Sequence, residues 1–189
     1  MDKVTIFSDS ILLDTIVDNK LENLIKCILD EEEKTNPNNQ ISNYGGYQTK
    51  NIWNEDVCRP ILKKASNLIL KNYNFHDIQF QMLNLWINKN YQNNFNKPHN
   101  HSLSDFSGVY YIDVPEKNGE LIFYRGDRTN QMMNIQKNLK GKDFSEDYVI
   151  QPLKNQLIIF PSHLQHMVLP HFEQKARISI SFNIKVING

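Results

Sequence analysis

Along the last strand-like stretch of this chain, Arg177, Ser179, Ser181 and Asn183 alternate with Ile178, Ile180, Phe182 and Ile184. A period of two puts the two sets on opposite faces of a β-strand. One face is apolar core; the other carries a guanidinium, two hydroxyls and an amide. Taken alone, the polar face reads as solvated surface. Two observations argue for an interior role instead. Solvated strand positions elsewhere in the chain use mostly Lys and Asn, and Arg-x-Ser is a compact anion clamp, a planar fork that matches a carboxylate beside a short hydroxyl donor. Arginine is also scarce, limited to Arg59, Arg125, Arg128 and Arg177.

The rest of the chain divides into a helical part and a strand part. Val17, Leu21, Leu24, Ile25 and Ile28 follow helical spacing behind Asp18, a candidate N-cap. The polar stretch from Asp30 to Gln40, with Pro37, reads as a loop, and Ser42 to Tyr47 as a turn-rich connection. A second helix is expected from Asn54, with Glu55 and Asp56 complementing its dipole and Ile61, Leu62, Ala65, Leu68 and Ile69 forming its apolar stripe. From Ile78 onward the texture is that of strands: Gln79 to Ile87, Gly108 to Val114, Glu120 to Tyr124, Asn155 to Phe160, Gln165 to Leu169 and Ala176 to Val186. The second and third of these are expected to form a hairpin across Pro115 to Gly119. Gly126 to Asp147 is polar and aperiodic, an excursion from the body of the fold. Helices that precede the strands, without alternating with them, argue against a doubly wound parallel sheet. The expected fold is mainly β, a jelly-roll with N-terminal helices packed outside. It is expected to form a single domain over residues 1–189, with 1–75 as helical support and 76–189 as the β core.

Composition narrows the function classes. Lys+Arg and Asp+Glu both number 21, so the net charge is zero. There is no basic footprint for nucleic acid or for an anionic lipid surface. No apolar run approaches the roughly 20 residues needed to span a bilayer, and Met1-Asp2-Lys3-Val4 does not begin a secretory pattern. Cys27 and Cys58 both fall in expected helices, consistent with reduced thiols and a cytoplasmic setting. The expected partner is a small molecule or a peptide, with no nucleic acid and no membrane.

Five of the 6 histidines lie in two clusters. His99 and His101 project to the same side of an extended segment and can meet one ion, with metal–nitrogen distances of about 2.0–2.2 Å. A third ligand must come from His163, His166 or His171. His163 sits in a turn after Pro161-Ser162, His171 follows Pro170 at a strand end, and His166 is embedded in the strand-like run Gln165 to Leu169. His76 reads as structural.

The stretches Trp86-Ile87-Asn88, Pro98-His99-Asn100-His101, Ser107 to Tyr111, Gly119 to Phe123, Phe160-Pro161-Ser162 with His166, and Arg177 to Asn183 come in an order and spacing that resembles the iron(II)/2-oxoglutarate-dependent oxygenases. The resemblance is to a prolyl-hydroxylase-like group of phage and marine-bacterial members, and with Ser42 to Gln48 it covers roughly residues 42–184. It implies a double-stranded β-helix, a cupin-like barrel, with iron at its mouth held by His99, His101 and His166. Arg177, helped by Ser179, would bind the far carboxylate of 2-oxoglutarate, and Tyr111 would donate to the same group. The implied cofactors are Fe(2+), 2-oxoglutarate and O2. The implied reaction is hydroxylation of a C–H bond in a prolyl or other peptide residue, inside a phage-infected or marine bacterial cell. Trp86, Asn88, Asp127 and Arg128 are placed at the substrate entry. One departure stands out. The usual facial triad is two histidines and one carboxylate, and His101 occupies the carboxylate's place. Asp105, four residues further on, ranks second for that role. Two rival expectations remain: a three-histidine dioxygenase that uses no 2-oxo acid, and a non-catalytic jelly-roll module.

Overall fold

The computed structural model describes residues 9–36, 43–124 and 147–188. In chain order the elements are β1 (Leu12–Thr15), α1 (Asn19–Thr35), β2 (Asn43–Tyr44), β3 (Tyr47–Gln48), α2 (Glu55–Asn72), β4 (Ile78–Asn90), β5 (Phe95–His99), β6 (Phe106–Asp113), β7 (Leu121–Tyr124), β8 (Asp147–Ile150), β9 (Gln156–Pro161), β10 (His166–Val168) and β11 (Arg177–Asn188). Both helices begin at the expected caps. The Asp18 carboxylate accepts from the backbone N–H of Lys20 and Leu21, and the Asn54 side chain does the same for Asp56 and Val57, which satisfies amides that have no partner within the helix. Val17 precedes its cap and is exposed, so it is not part of the helical stripe. Helix α1 continues through the charged run to Thr35, because those residues face outward or toward strand β4. There Lys89 Nζ lies 2.6 Å from Glu33 Oε2.

The first 75 residues are not purely helical. Strand β1 pairs with β9, β3 with β4, and β2 with β5, all antiparallel. These strands hold two to four residues each, too few for a period to register in the sequence.

Two antiparallel sheets result. The larger has the order β1-β9-β6-β11-β4-β3 and the smaller β2-β5-β10-β7-β8. Strands β4, β6, β9 and β11 belong to one sheet and β5, β7, β8 and β10 to the other, so most connections from β4 onward carry the chain across the barrel. This is the jelly-roll, and it corrects the expected hairpin. Strand β6 pairs with β11 and β9, while β7 pairs with β10 and β8. Pro115 to Gly119 is a corner between sheets. Both flanking runs are apolar and β-branched, and such a run does not specify its partner.

The main apolar core lies outside the barrel. Ile25 and Leu29 of α1, with Ile61, Ala65 and Ile69 of α2, pack on Leu85, Ile87, Tyr110, Ile180, Phe182 and Ile184 of the larger sheet. Each fully buried Leu, Ile or Phe side chain among them contributes about 1.5–3 kcal/mol. The Phe182 ring lies across Gly108, where any Cβ would overlap it. A smaller cluster between the sheets includes Val109, Tyr111, Phe123, Ile158 and Phe160. The apolar set of β11 therefore faces the helices, and the polar set faces the barrel interior.

Candidate metal centre and anion pocket

Strand β5 meets β10 with His99 opposite His166 and Asn96 opposite Val168. Three steps along β5 match two along β10, so β5 carries an extra residue in a bulge at Lys97–Pro98. A bulge re-aims the side chains beyond it and is one of the few places where a strand accepts proline, which has no N–H for the ladder. As a result Asn96 and His99 both turn inward and line the same pocket. His101 lies just past the strand, its N–H donating to the Ser162 carbonyl at 2.9 Å.

The three rings converge. Centroid separations are 5.1 Å for His99–His101, 4.4 Å for His99–His166 and 5.2 Å for His101–His166, and one ring nitrogen from each lies within 4.8 Å of the others. The hydrogen bonds set the tautomers. His99 Nδ1 lies 2.6 Å from the Lys97 carbonyl and His166 Nδ1 lies 2.9 Å from the Leu164 carbonyl. A carbonyl only accepts, so each Nδ1 carries the proton and leaves the Nε2 lone pair free. Burial disfavours the charged rings. It pushes His166 down to about 3, with His99 adding to the effect. It lowers His101 to about 4, again with His99 adding. His99 is also lowered by burial, against a smaller opposing effect of the Lys97 carbonyl. At neutral pH the cluster offers three unprotonated imidazoles, a donor set suited to iron, zinc, copper or nickel.

The other candidates lie elsewhere. His163 is exposed and its Nε2 lies 3.1 Å from Asp9 Oδ1. His171 is fully buried and its Nε2 bonds the Asn90 carbonyl at 2.8 Å. His76 is exposed. Asp105 faces away from the cluster. Its Oδ2 accepts from the Val186 N–H at 2.7 Å, which ends its candidacy as a ligand.

Arg177 is 2% exposed. Its Nη1 donates to the Gly119 carbonyl at 2.9 Å, while its Nε has no hydrogen-bond partner among the described residues. No Asp or Glu pairs with it among the described residues. Burial presses its pKa down, against a smaller opposing effect of Tyr111. An uncompensated buried charge is expensive, and among the described residues no anionic group meets it. Ser179 and Tyr111 lie directly opposite each other on β11 and β6, both buried. Burial pushes the Tyr111 phenol up to about 12, partly offset by Arg177, so the phenol stays a proton donor.

One pocket of about 530 Å³, open mouth included, is lined by the three histidines together with Arg177, Ser179, Tyr111, Trp86 and Asn88. The Trp86 ring sits 5.9 Å from that of His101, and Asn88 Nδ2 donates to Ser181 Oγ at 3.0 Å. Asp127 and Arg128 lie outside the described residues. Sequence reasoning missed Asn90 and Asn96, which also line the pocket. Asn90 was legible, because Trp86, Asn88 and Asn90 share a face of β4 by the same alternation that marks β11. Asn96 was hidden by the bulge.

A buried polar chain supports the turn that bears His101. Ser104 Oγ donates to the His101 carbonyl at 3.0 Å and lies 2.9 Å from Ser162 Oγ. Ser162 meets Ser107 at 2.7 Å, and Ser107 donates to Asn183 Oδ1 at 2.7 Å. Asn183 in turn donates to Asn84 at 2.7 Å. The turn is thereby tied to β4, β6 and β11.

Residues 84–183 match a family model described as "Putative 2OG-Fe(II) oxygenase". No protein of curated function matches the sequence. Among solved structures, a prolyl-4-hydroxylase from Pseudomonas putida superimposes with a TM-score of 0.61 at 14% identity, covering 94% of this chain and 93% of its own. The viral collagen prolyl hydroxylase of Paramecium bursaria Chlorella virus-1, in complex with 2-oxoglutarate, gives 0.57 at 14%, covering 92% and 95%. HygX of Streptomyces hygroscopicus, with nickel and 2-oxoglutarate bound, gives 0.64 at 8%, covering 94% and 82%.

Proposed function

We propose, from the premise that this chain belongs to the 2OG-Fe(II) oxygenase family, that His99, His101 and His166 hold iron(II) and that Arg177, Ser179 and Tyr111 hold the far carboxylate of 2-oxoglutarate. The observation that carries this reading is a buried guanidinium with no counter-ion among the described residues, in the same pocket as three neutral imidazoles. The guanidinium needs an anion and the imidazoles a cation, and an iron-bound 2-oxo dicarboxylate supplies both.

Iron(II), when bound, supplies oxidation of a C–H bond by dioxygen, coupled to decarboxylation of the 2-oxo acid. The chain's own residues prepare the site. The carbonyls of Lys97 and Leu164 hold two rings in the Nε2-donor tautomer. Phe160 packs 4.7 Å from His166 and helps exclude water. Arg177 and Tyr111 keep their protons and so present donors, not acceptors, to the incoming carboxylate.

The substrate is a prolyl or other peptide residue in this reading, with the whole chain acting as one domain. A related-fold prolyl hydroxylase from Trichoplax adhaerens is in complex with a peptide fragment, and here the pocket walls carry no acidic or lysine side chain among the described residues. Trp86 and Asn88 would meet the substrate. The test is an anaerobic titration with iron(II) followed by 2-oxoglutarate. The expected outcome is a weak visible charge-transfer band at one equivalent of metal, then succinate on admission of air, both abolished by a chelator. Absence of the band together with absence of succinate overturns the proposal.

A further inference from the structure

The three imidazoles of the cluster are not held in the same way. The His99 and His166 rings are each fixed by a carbonyl two residues back, with Nδ1 2.6 Å from Lys97 and 2.9 Å from Leu164. Every hydrogen bond of His101 among the described residues is instead to its main chain. Its N–H donates to the Ser162 carbonyl at 2.9 Å, and its own carbonyl accepts from Ser104 Oγ at 3.0 Å. The far end of the same turn is closed by the Ser162 N–H, which donates to the Asp105 carbonyl at 3.0 Å, while the Asp105 N–H donates to the Ile184 carbonyl of β11 at 3.0 Å. Ser162 therefore brackets residues 101–105 from both ends. It also lies in the short connection between β9 and β10 whose Leu164 carbonyl orients His166. One connection thus bears on two of the three ligands.

Proton counting gives the hydroxyl chain a direction. Asn183 Nδ2 donates to Asn84, so Asn183 Oδ1 is the acceptor for the Ser107 hydroxyl at 2.7 Å. A serine carries one hydroxyl proton, so Ser107 accepts from Ser162 at 2.7 Å. Ser162 then has no proton left for Ser104, and its oxygen is an acceptor 2.9 Å away. The single Ser104 proton has two acceptors within reach, Ser162 Oγ and the His101 carbonyl. Ser107 and Ser162 are each 1% exposed, where water does not replace a lost partner. We propose that Ser162 is a positioning residue for the metal centre: its hydroxyl, fixed through Ser107 to Asn183, holds Ser104 against the His101 carbonyl and so sets the His101 ring relative to His99 and His166. Loss of that hydroxyl leaves the main-chain bonds of the turn intact, so the turn keeps its place and only the aim of its ligand is loosened.

This inference rests on the three-histidine metal centre proposed above, and its test keeps the two apart. Cobalt(II) is titrated into the metal-free full chain, and both the dissociation constant and the visible ligand-field bands are read. Wild-type protein should bind one equivalent, and His101→Ala should bind more weakly. Ser162→Ala should weaken cobalt(II) by about tenfold, the lower end of the usual loss for a group that orients a metal ligand, and should shift the bands. Ser104→Ala, at a half-buried position, should do the same, and it carries the test if Ser162→Ala does not fold. In the His101→Ala background neither serine substitution should weaken cobalt(II) further, because a residue that acts through one ligand loses its effect when that ligand is gone. Wild-type affinity and bands in both serine variants overturn the role of Ser162, and so does an equal loss with and without the His101 ring, which is the mark of general loosening. A wild-type protein that takes up no cobalt(II), or a His101→Ala protein that binds it as tightly as wild type, sinks the metal centre itself and the role of Ser162 with it.

Discussion

The two faces of the larger sheet are buried to the same depth and built on opposite terms. On the helix side, Phe182, Ile180 and Ile184 are fully enclosed among aliphatic side chains. On the barrel side, Arg177, Ser179 and Asn90 are as inaccessible to water, yet Arg177 Nε, Asn90 Nδ2 and Asn88 Oδ1 have no hydrogen-bond partner among the described residues. The first face stabilises the fold by removing apolar surface from water. The second carries the cost of desolvated polar groups that a ligand would restore. Depth of burial does not separate a core from a site; the satisfaction of its polar atoms does.

Substitutions on the two faces of β11 should therefore have different consequences. Phe182→Ala, on the helix side, should cost about 3–5 kcal/mol of stability, measured by denaturant unfolding, and leave the relative affinity for 2-oxo acids unchanged among the molecules that remain folded. Arg177→Met, on the barrel side, should weaken 2-oxoglutarate by about a hundredfold, the loss of hydrogen bonds to a charged group at about 1.5–3 kcal/mol each. It should leave stability in the absence of ligand unchanged or raised, because an uncompensated buried charge is removed. A loss of stability on the scale of Phe182→Ala would erase the distinction between the faces.

Acidification should act on the barrel side as well. His166 and His101 have folded-state values of about 3 and about 4, below their ordinary 6.5. The unfolded chain thus binds protons that the folded chain refuses. Stability is fully present above pH 6.5 and falls as the pH drops toward about 4 and then 3, by at most about 1.4 kcal/mol per pH unit for each ring. Unfolding of metal-free protein at pH 7.5 and pH 5 checks the sign. His166→Phe, which removes a titrating ring and keeps an apolar one, should flatten the dependence.

The parts of this molecule that could be read from the chain are those carried by local periodicity. The caps at Asp18 and Asn54 sit where the helices start, and the alternation along β11 assigns each of its side chains to one of two faces. His99 and His101 were readable as a pair, and Arg177 with Ser179 as neighbours on one face of β11. The run around His166 stood out from His163 and His171 only by its strand-like neighbours. Less was readable where an element is short or departs from period two. Strands β1, β2 and β3 were invisible, Val17 was assigned to a helix it precedes, and the inward turn of Asn96 depends on the bulge at Lys97–Pro98.

By itself, then, the sequence determined which side chains share a face, where the helices begin, and that the strands outnumber them. Those are properties of dihedral periods and end groups, set within a few residues. Only the tertiary structure decided that β6 and β7 belong to different sheets, that Asp105 turns to the backbone of Val186 while His166 turns to His99, and that the polar face of β11 looks into the barrel. Those outcomes depend on contacts between residues far apart in the chain. The closing of two sheets around one pocket selects among partners that local patterning leaves equivalent.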